Sequence, residues 1–480
     1  MPEVRPLESY FDRELANAVV GVDTLYGGNI IDPSGMVHFI ADTYPRDVYE
    51  PPNVWKDGRA AHLRNVGGVR SKKDEKLVVG FINQYGLMDA RGRLLSALGD
   101  SAPEHRREFV GNLGTALEAM TKEALSIATT GKHIPFEARA FAATRRAPEL
   151  IDPTPYREGL AQALSEVGFE PTRSRDLKES LLAWEAHCGY MTKLPGGSLA
   201  ELDEAQRGEY LAEFLRATGE MRSKLMGLFL GQLRGMDLNL AGYKPDLSDV
   251  NFDGLDLQLV HGVYFTGSMA YEGGTNPDGS PALHTLYQYN ADHPTTNPAA
   301  PMFCAHELVA HHVDSVLSDL RWREGKLGLE AMISTMCTPD VALREGFAQN
   351  MLTLVCGSEE GVIDQFGADQ SVQKWAEWLQ DTAKNNVSIL SQLQGQTPEQ
   401  IQKYLKVECV LSSAFVNKMM GAWRTHPLIG PMYGPAYHLG HKVVLDAIEQ
   451  YGVKNVLAAC LHLNGYADIA TFPKILAKAA

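Results

Sequence analysis

The chain lacks most of the features that assign a protein quickly. Its six cysteines (Cys188, Cys304, Cys337, Cys356, Cys409, Cys460) are scattered, with no CxxC pair. Most lie in apolar surroundings, as suits buried thiols in a reducing cytoplasm. Cys304 reads as a small core residue, since buried free cysteine is common. No run approaches the roughly 18 apolar residues of a membrane helix. The opening residues, MPEVRPLESYFDREL, have no hydrophobic signal-peptide core. Positive charge is in deficit: 44 Lys and Arg against 59 Asp and Glu give a net charge of -15. That argues against nucleic-acid and anionic-membrane partners, and the acidity is not collected in a tail. Internal repeats and low-complexity segments are missing, and strand signals are few. The expectation is a cytoplasmic protein with no nucleic-acid or membrane partner.

What is present is helical. The 480 residues suffice for two or three packed units, and 44% hydrophobic with 21% charged residues is ordinary globular composition. Residues 8 to 20 predict a short helix, and the Gly/Pro-rich stretch 26 to 59 an extended wrapping segment. One helix is expected from Asp74 to Gly99. Another starts at Ser101 as N-cap and stops before Gly131. Shorter helices fit 133–147, 156–167 and 176–191, and a long one fits 199–238. Residues 241 to 300 turn Gly-, Asp-, Asn- and Tyr-rich. Two strand-like runs there, HGVYF and HTLYQYN, predict a hairpin or small sheet across the Gly-rich GSMAYEGGTNPDGS. Further helices are expected from Pro339, over 368–393, over 398–421 with Thr397 and Gln400 as a capping box, in AYHLGHKVVLDAIEQYG, and near 453–463 and 471–479. The fold expected is mainly α: many helices around a cleft, with a small hairpin or sheet before the helix described next. The break at LPGGS divides the chain into 1–195, a helical region, and 196–480, the region holding the chemistry.

That chemistry centres on PMFCAHELVAHHVDSVL, residues 301 to 317, where His306, Glu307, His311 and His312 fall within seven positions. The usual zincin pattern is HExxH, with both histidines on one helical face and the Glu as general base. Here the spacing is one longer. At 100° per residue His306 and His311 stand about 140° apart on a regular α-helix. A π-bulge would bring them onto one face, so a metal site demands a locally widened helix. Otherwise the cluster is a solvated face or a core group.

A catalytic zinc needs a third protein ligand. Glu345, in LREGFAQN on the next long helix, would lie alongside the histidines if the two helices return antiparallel. Gly346 beside it permits close approach. Glu307 then serves as general base. His312 and Asp314 are placed just outside the ligands, Asp314 orienting His311. Donors for a developing oxyanion are sought on the late helix, at Tyr437, His438 and His441, with Tyr437 and His441 sharing a face. Arg424 could pair with a substrate carboxylate. Tyr287 and Tyr289, two apart on a strand, point to one face, either cleft or core.

These motifs resemble the large bacterial domain-of-unknown-function-885 family, whose members look like zinc-dependent peptidases. The family's HExxPGHH is similar to HELVAHH at His306, Glu307, His311 and His312. Its EGWA matches EGFA at Glu345, Gly346, Phe347 and Ala348. Its SYxxG resembles AYHLG at Tyr437 and Gly440, and LYQYN is family-like too. The HExxxH spacing is similar to that of dipeptidyl peptidase III. The likeness covers roughly residues 260 to 450. One departure is clear: Val309-Ala310 stands where the family has Pro-Gly, and the motif is one residue shorter. Any bulge here must therefore come from packing or the metal rather than from Pro and Gly. The resemblance implies a zinc-dependent peptidase with one zinc per chain, and the expected architecture, long helices around a deep cleft with no secretion signal, narrows its substrate to short peptides or peptide-like molecules. A non-peptide amide hydrolase or lyase on the same metal remains open, as does a non-catalytic helical binding protein with a degenerate cluster.

Overall fold

A computed structural model describes residues 9–26, 37–39, 72–191, 202–233, 250–261, 267–271, 276, 280–291, 295–462 and 466–479. The architecture is mainly α-helical, with a three-stranded sheet and a two-stranded pair. In order, α1 is Tyr10–Leu25, β1 Val37–Phe39, α2 Lys72–Tyr85, α3 Ala90–Leu98, α4 Glu104–Thr130, α5 Phe136–Thr144, α6 Thr154–Glu166, α7 Leu177–Cys188 and α8 Glu204–Leu233. Then come β2 Leu255–Val260, β3 Gly267–Tyr271, β4 Thr285–Asn290 and α9 Ala299–Phe303. A π-helical segment, Cys304–His311, leads into α10 His312–Arg323. Beyond these lie β5 Ile333–Thr335, α11 Pro339–Cys356, α12 Glu359–Phe366, α13 Asp369–Ser388, α14 Pro398–Val407, α15 Ser413–Lys418, α16 Gly434–Tyr451, α17 Val453–His462 and α18 Phe472–Ala479, with shorter π segments at Ile389–Leu393, Met419–Trp423 and Ile429–Tyr433. No helix among the described residues is long and apolar enough to cross a membrane.

Local signals explain several boundaries. Thr397 accepts from the Gln400 backbone while Gln400 returns a bond to the Thr397 N–H, the expected capping box. Gly131 closes α4 in the left-handed region. That helix starts later than predicted, with Pro103 rather than Ser101 as its N-cap. The helix expected over 74–99 is two: left-handed Gly86 breaks it before α3. The 398–421 helix also breaks, at a stretch where Val410 has a φ of 58°. Most of the extended segment expected over 26–59 lies outside the described residues.

Of the hairpin or small sheet expected before the HELVAHH helix, a three-stranded sheet is what forms. β4 is central, antiparallel to β3 on one edge and parallel to β2 on the other. The Gly-rich stretch expected as a connector supplies strand β3, and residues 262–265 of the HGVYF run lie outside the described residues. Hydrogen bonding to β4 outweighs the weak strand propensity of Gly267-Ser268. Gly267 also has a steric reason: a Cβ there would overlap the Tyr287 hydroxyl.

One large apolar cluster draws on α1, α4, α8, β4, the π segment, α11 and α16, from Phe11 to Leu476. The expected division at residue 196 falls inside its membership. At the centre, α11 crosses α16 through glycines. A Cβ on Gly346 would collide with the Gly440 carbonyl, and one on Gly440 with the Ala342 carbonyl. Asn350 staples the crossing, donating to Gly346 O at 2.8 Å and His441 O at 3.0 Å. Buried Arg139 of α5 donates to Pro427 O at 2.7 Å and Gln392 Oε1 at 2.8 Å, fixing the segment that enters α16.

Gly440→Ala should therefore destabilise by about 1–3 kcal/mol through overpacking. Gly227→Ala on α8, where a Cβ meets nothing, should be neutral or stabilising by about 0.5–1 kcal/mol. Paired denaturant titrations check the contrast; equal stability of the two variants would contradict the close crossing.

Candidate metal centre

The helix carrying HELVAHH is widened where the spacing requires it. Residues Cys304–His311 form a π-helix without proline or glycine. Packing accounts for it: Cys304, Ala305, Leu308, Val309 and Ala310 are all buried in the main core. The wide turn brings the imidazoles together, His306 Nε2 lying 3.2 Å from His311 Nε2. Glu345 arrives from α11, with its Oε2 at 3.5 Å from His306 Nε2. One ligand atom from each of His306, His311 and Glu345 lies within 4.8 Å of the other two.

Three observations fit a cation at this point. Glu345 Oε2 is buried and accepts no hydrogen bond, an expense that a metal bond would remove. His306 has its Nδ1 committed to Gln349 Oε1 at 3.1 Å. Gln349 donates its amide to Asp381 Oδ2 at 2.9 Å, so its oxygen faces His306 and accepts the Nδ1 proton. That leaves His306 Nε2 as the lone-pair nitrogen aimed at the cluster, the tautomer a ligand needs. The third is charge. Burial and the neighbouring His306 push His311 down. Burial also opposes charge on His306, yet Glu307 and Glu345 outweigh it and push it up to about 9. Burial alone would raise Glu345, but His306, His311 and Tyr433 hold it at about 2. The carboxylates thus call for positive charge between the two rings.

Glu307 sits on the open side. Its side chain is 22% exposed against 12% for His306 and 9% for Glu345, and its Oε1 is 3.9 Å from His306 Nε2. Tyr433 closes another side, donating to Glu345 Oε1 at 2.7 Å. Its single proton is spent there, so Tyr437, 2.8 Å away, is the donor to the Tyr433 oxygen. Trp423 stacks on Tyr433 at 5.8 Å, and Lys384 Nζ lies 3.5 Å from the centre of the Tyr437 ring. Burial pushes Lys418 down to about 8, with Lys384 adding repulsion and Glu307 opposing both.

Asp381 joins these parts. It accepts from Gln349 and from Lys384 Nζ at 3.0 Å, and His441 Nδ1 lies 3.4 Å from Oδ2. Burial disfavours its charge, but Lys384 and His441 prevail and hold it at about 2. His441 stacks on Trp378 at 3.8 Å and, with Gln349, borders a cavity of about 240 Å³ that none of the three ligand residues lines.

The remaining sequence candidates divide. Tyr437 and Glu307 are at the cluster. His441 belongs to the Asp381 network behind it. His438 is turned to Tyr156 of α6, with Nε2 at 2.9 Å from the hydroxyl, instead of to a substrate. His312 does not support the ligands: it is fully buried, and its two nitrogens meet Thr285 Oγ1 at 2.7 Å and Phe252 O at 2.9 Å. It pins the helix to the sheet. Asp314 pairs with Arg344 rather than orienting His311, because α11 brings a full cation within reach. Tyr287 and Tyr289 do share a face, but that face is core: both pack edge-on to Phe303 and are nearly fully buried. The Tyr289 hydroxyl is 3.0 Å from Thr295 Oγ1. Arg424 turns its Nε to Met420 O at 3.3 Å. Cys304 is buried core, as expected, with burial raising its thiol well above the usual range.

Sequence reasoning missed Tyr433, Gln349, Asp381 and Lys384. Two carried a signal. Tyr433 is four residues before Tyr437, and Gln349 four after Glu345, so each shares a helical face with a chosen residue. Asp381 and Lys384 had none.

No family model matches the chain, and no curated protein matches it. Among solved structures, a putative lipoprotein from Colwellia psychrerythraea aligns over 84% of this chain and 68% of its own, at 13% identity and a TM-score of 0.46. A putative lipoprotein of unknown function from Shewanella oneidensis aligns over 88% of this chain and 84% of its own, at 12% identity and a TM-score of 0.46. Likeness this loose assigns neither fold family nor function.

Two variants separate the outer layer from the core. Gln349→Leu should keep the fold and weaken zinc binding about 10- to 100-fold. His312→Ala should leave zinc stoichiometry unchanged but cost about 2–4 kcal/mol, since it strands two buried partners. Zinc titration with a competing chelator and denaturant unfolding read the two effects; the reverse pattern would show that the roles are misassigned.

Proposed function

We propose that this chain is a zinc-dependent hydrolase acting on short peptides, with His306, His311 and Glu345 as ligands and Glu307 as general base. The supporting observation is the convergence of those three ligand atoms around the unbonded Glu345 Oε2. Two imidazoles and a carboxylate form the donor set of catalytic zinc sites that keep an open position for water. Bound there, zinc would supply a Lewis acid and an acidified water.

The chain's own residues do the rest. Glu307, on the exposed side, takes the proton from the attacking water and returns it to the leaving nitrogen. Gln349 holds His306 in its binding tautomer, and Asp381 holds Gln349. Tyr433 fixes one Glu345 oxygen, so the other is left for the metal. Tyr437 carries a hydroxyl proton that a rotation would free for an oxyanion on the substrate. Membership of the domain-of-unknown-function-885 family belongs to the same proposal, and it rests on the HELVAHH, EGFA and AYHLG residues alone. A cytoplasmic location is proposed with it, supported by six free cysteines.

Elemental mass spectrometry should find about one zinc per chain in wild type and little in His306→Ala or Glu345→Ala. Glu307→Gln should retain zinc and lose about 10²–10⁴-fold in turnover of a dipeptide panel. A wild-type protein that takes up no zinc would end the hydrolase reading in favour of a non-catalytic helical binder.

A further inference from the structure

The cavity beside the metal centre has a chemistry of its own. It encloses about 240 Å³, and none of His306, His311 and Glu345 lines it. An apolar void of roughly 150 Å³ already admits benzene, so a small ring system has room here. The floor is buried, with Gln349 and Asn350 of α11 and His441 of α16. The rim faces solvent at Gln162 and Glu166 of α6. Apolar walls join the two, among them Met302, Leu352, Val362 and Trp375. Trp375 lies hard against α6, where a Cβ on Gly159 would overlap its ring.

One polar group lining this cavity is left without a partner. Gln370, at the start of α13, is 4% exposed and donates its Nε2 to the Pro298 carbonyl at 2.9 Å. A carbonyl can only accept, so the amide cannot be turned round, and Oε1 is the end left over. That oxygen is buried and accepts no hydrogen bond among the described residues. A buried acceptor without a donor is costly. Lys374 and Glu359, which also border the cavity, pair with each other. Gln370 itself is neutral, so the group that completes it needs a donor and no charge.

We propose that this cavity is a second binding site, for a small neutral aromatic molecule that donates one N–H or O–H to Gln370 Oε1. Its ring packs on Met302, Leu352, Val362 and Trp375. The site shares no ligand residue with the proposed zinc chemistry and is independent of it.

Two isosteres test this. 5-Fluoroindole carries a ring N–H, and 5-fluorobenzofuran has an ether oxygen in its place. Titration of each into the full chain, followed by fluorine NMR, should show the indole binding roughly tenfold tighter, the discrimination that one buried hydrogen bond supplies. Gln370→Met should bring the indole down to the benzofuran. Val362→Phe, which fills the cavity from α12, should abolish binding of both, and thermal melts show that each variant is folded. Equal binding of the two isosteres to wild type would overturn the proposal, as would binding of neither. So would an indole preference that survives Gln370→Met, or binding that is unchanged in Val362→Phe. None of these measurements needs zinc or turnover, so the hydrolase reading stands or falls separately, on the Glu307→Gln assay.

Discussion

Two imidazoles five residues apart can meet only on a helix that is wider than α. Here the widening is built into the core. Five apolar residues of the π segment are buried, and the helix is pinned to the sheet at His312 and wedged at Phe303 between Tyr287 and Tyr289. A π turn costs hydrogen-bond quality and packing within the helix. Contacts on the far side of the helix hold it. His306 and His311 consequently face each other at 3.2 Å.

The second constraint is the glycine crossing of α11 and α16. Because Gly346 and Gly440 remove two side chains, the backbones touch. Glu345, next to the contact, is thereby brought close to Tyr433, the residue that leads into α16. A wider crossing would separate Glu345 from Tyr433, and one of its oxygens would lose its donor. The crossing and the π segment thus position opposite halves of one cluster.

Around it runs a buried polar chain from His306 through Gln349 and Asp381 to Lys384 and His441. Such a network is costly unless every member is satisfied. Asp381 carries it, an ionised carboxylate with three partners in the interior. Glu307, by contrast, has a more exposed side chain than His306 or Glu345 and stands on the open face of the cluster.

Helix content, the capping box at Thr397, and the convergence of His306, His311 and Glu345 through a π-bulge followed from the sequence by itself. Local chemistry decides such features: 3.6-residue periodicity, cap hydrogen bonds and the spacing of donors along one chain. Its errors have one cause. His312, Asp314, Tyr287 and Tyr289 have the right type and position in the chain, but each found a partner elsewhere in the fold. Thr285 and Phe252 took the ring of His312, Arg344 took Asp314, and the core took the tyrosines. Strand β3 gained its place from pairing with β4, against its own composition. Asp381 and Lys384 lie 32 and 53 residues from Gln349 and Tyr437, which they meet, and no periodicity links them to the cluster. Only tertiary structure could bring them to the cluster, because burial and long-range charge pairing depend on which helices pack together.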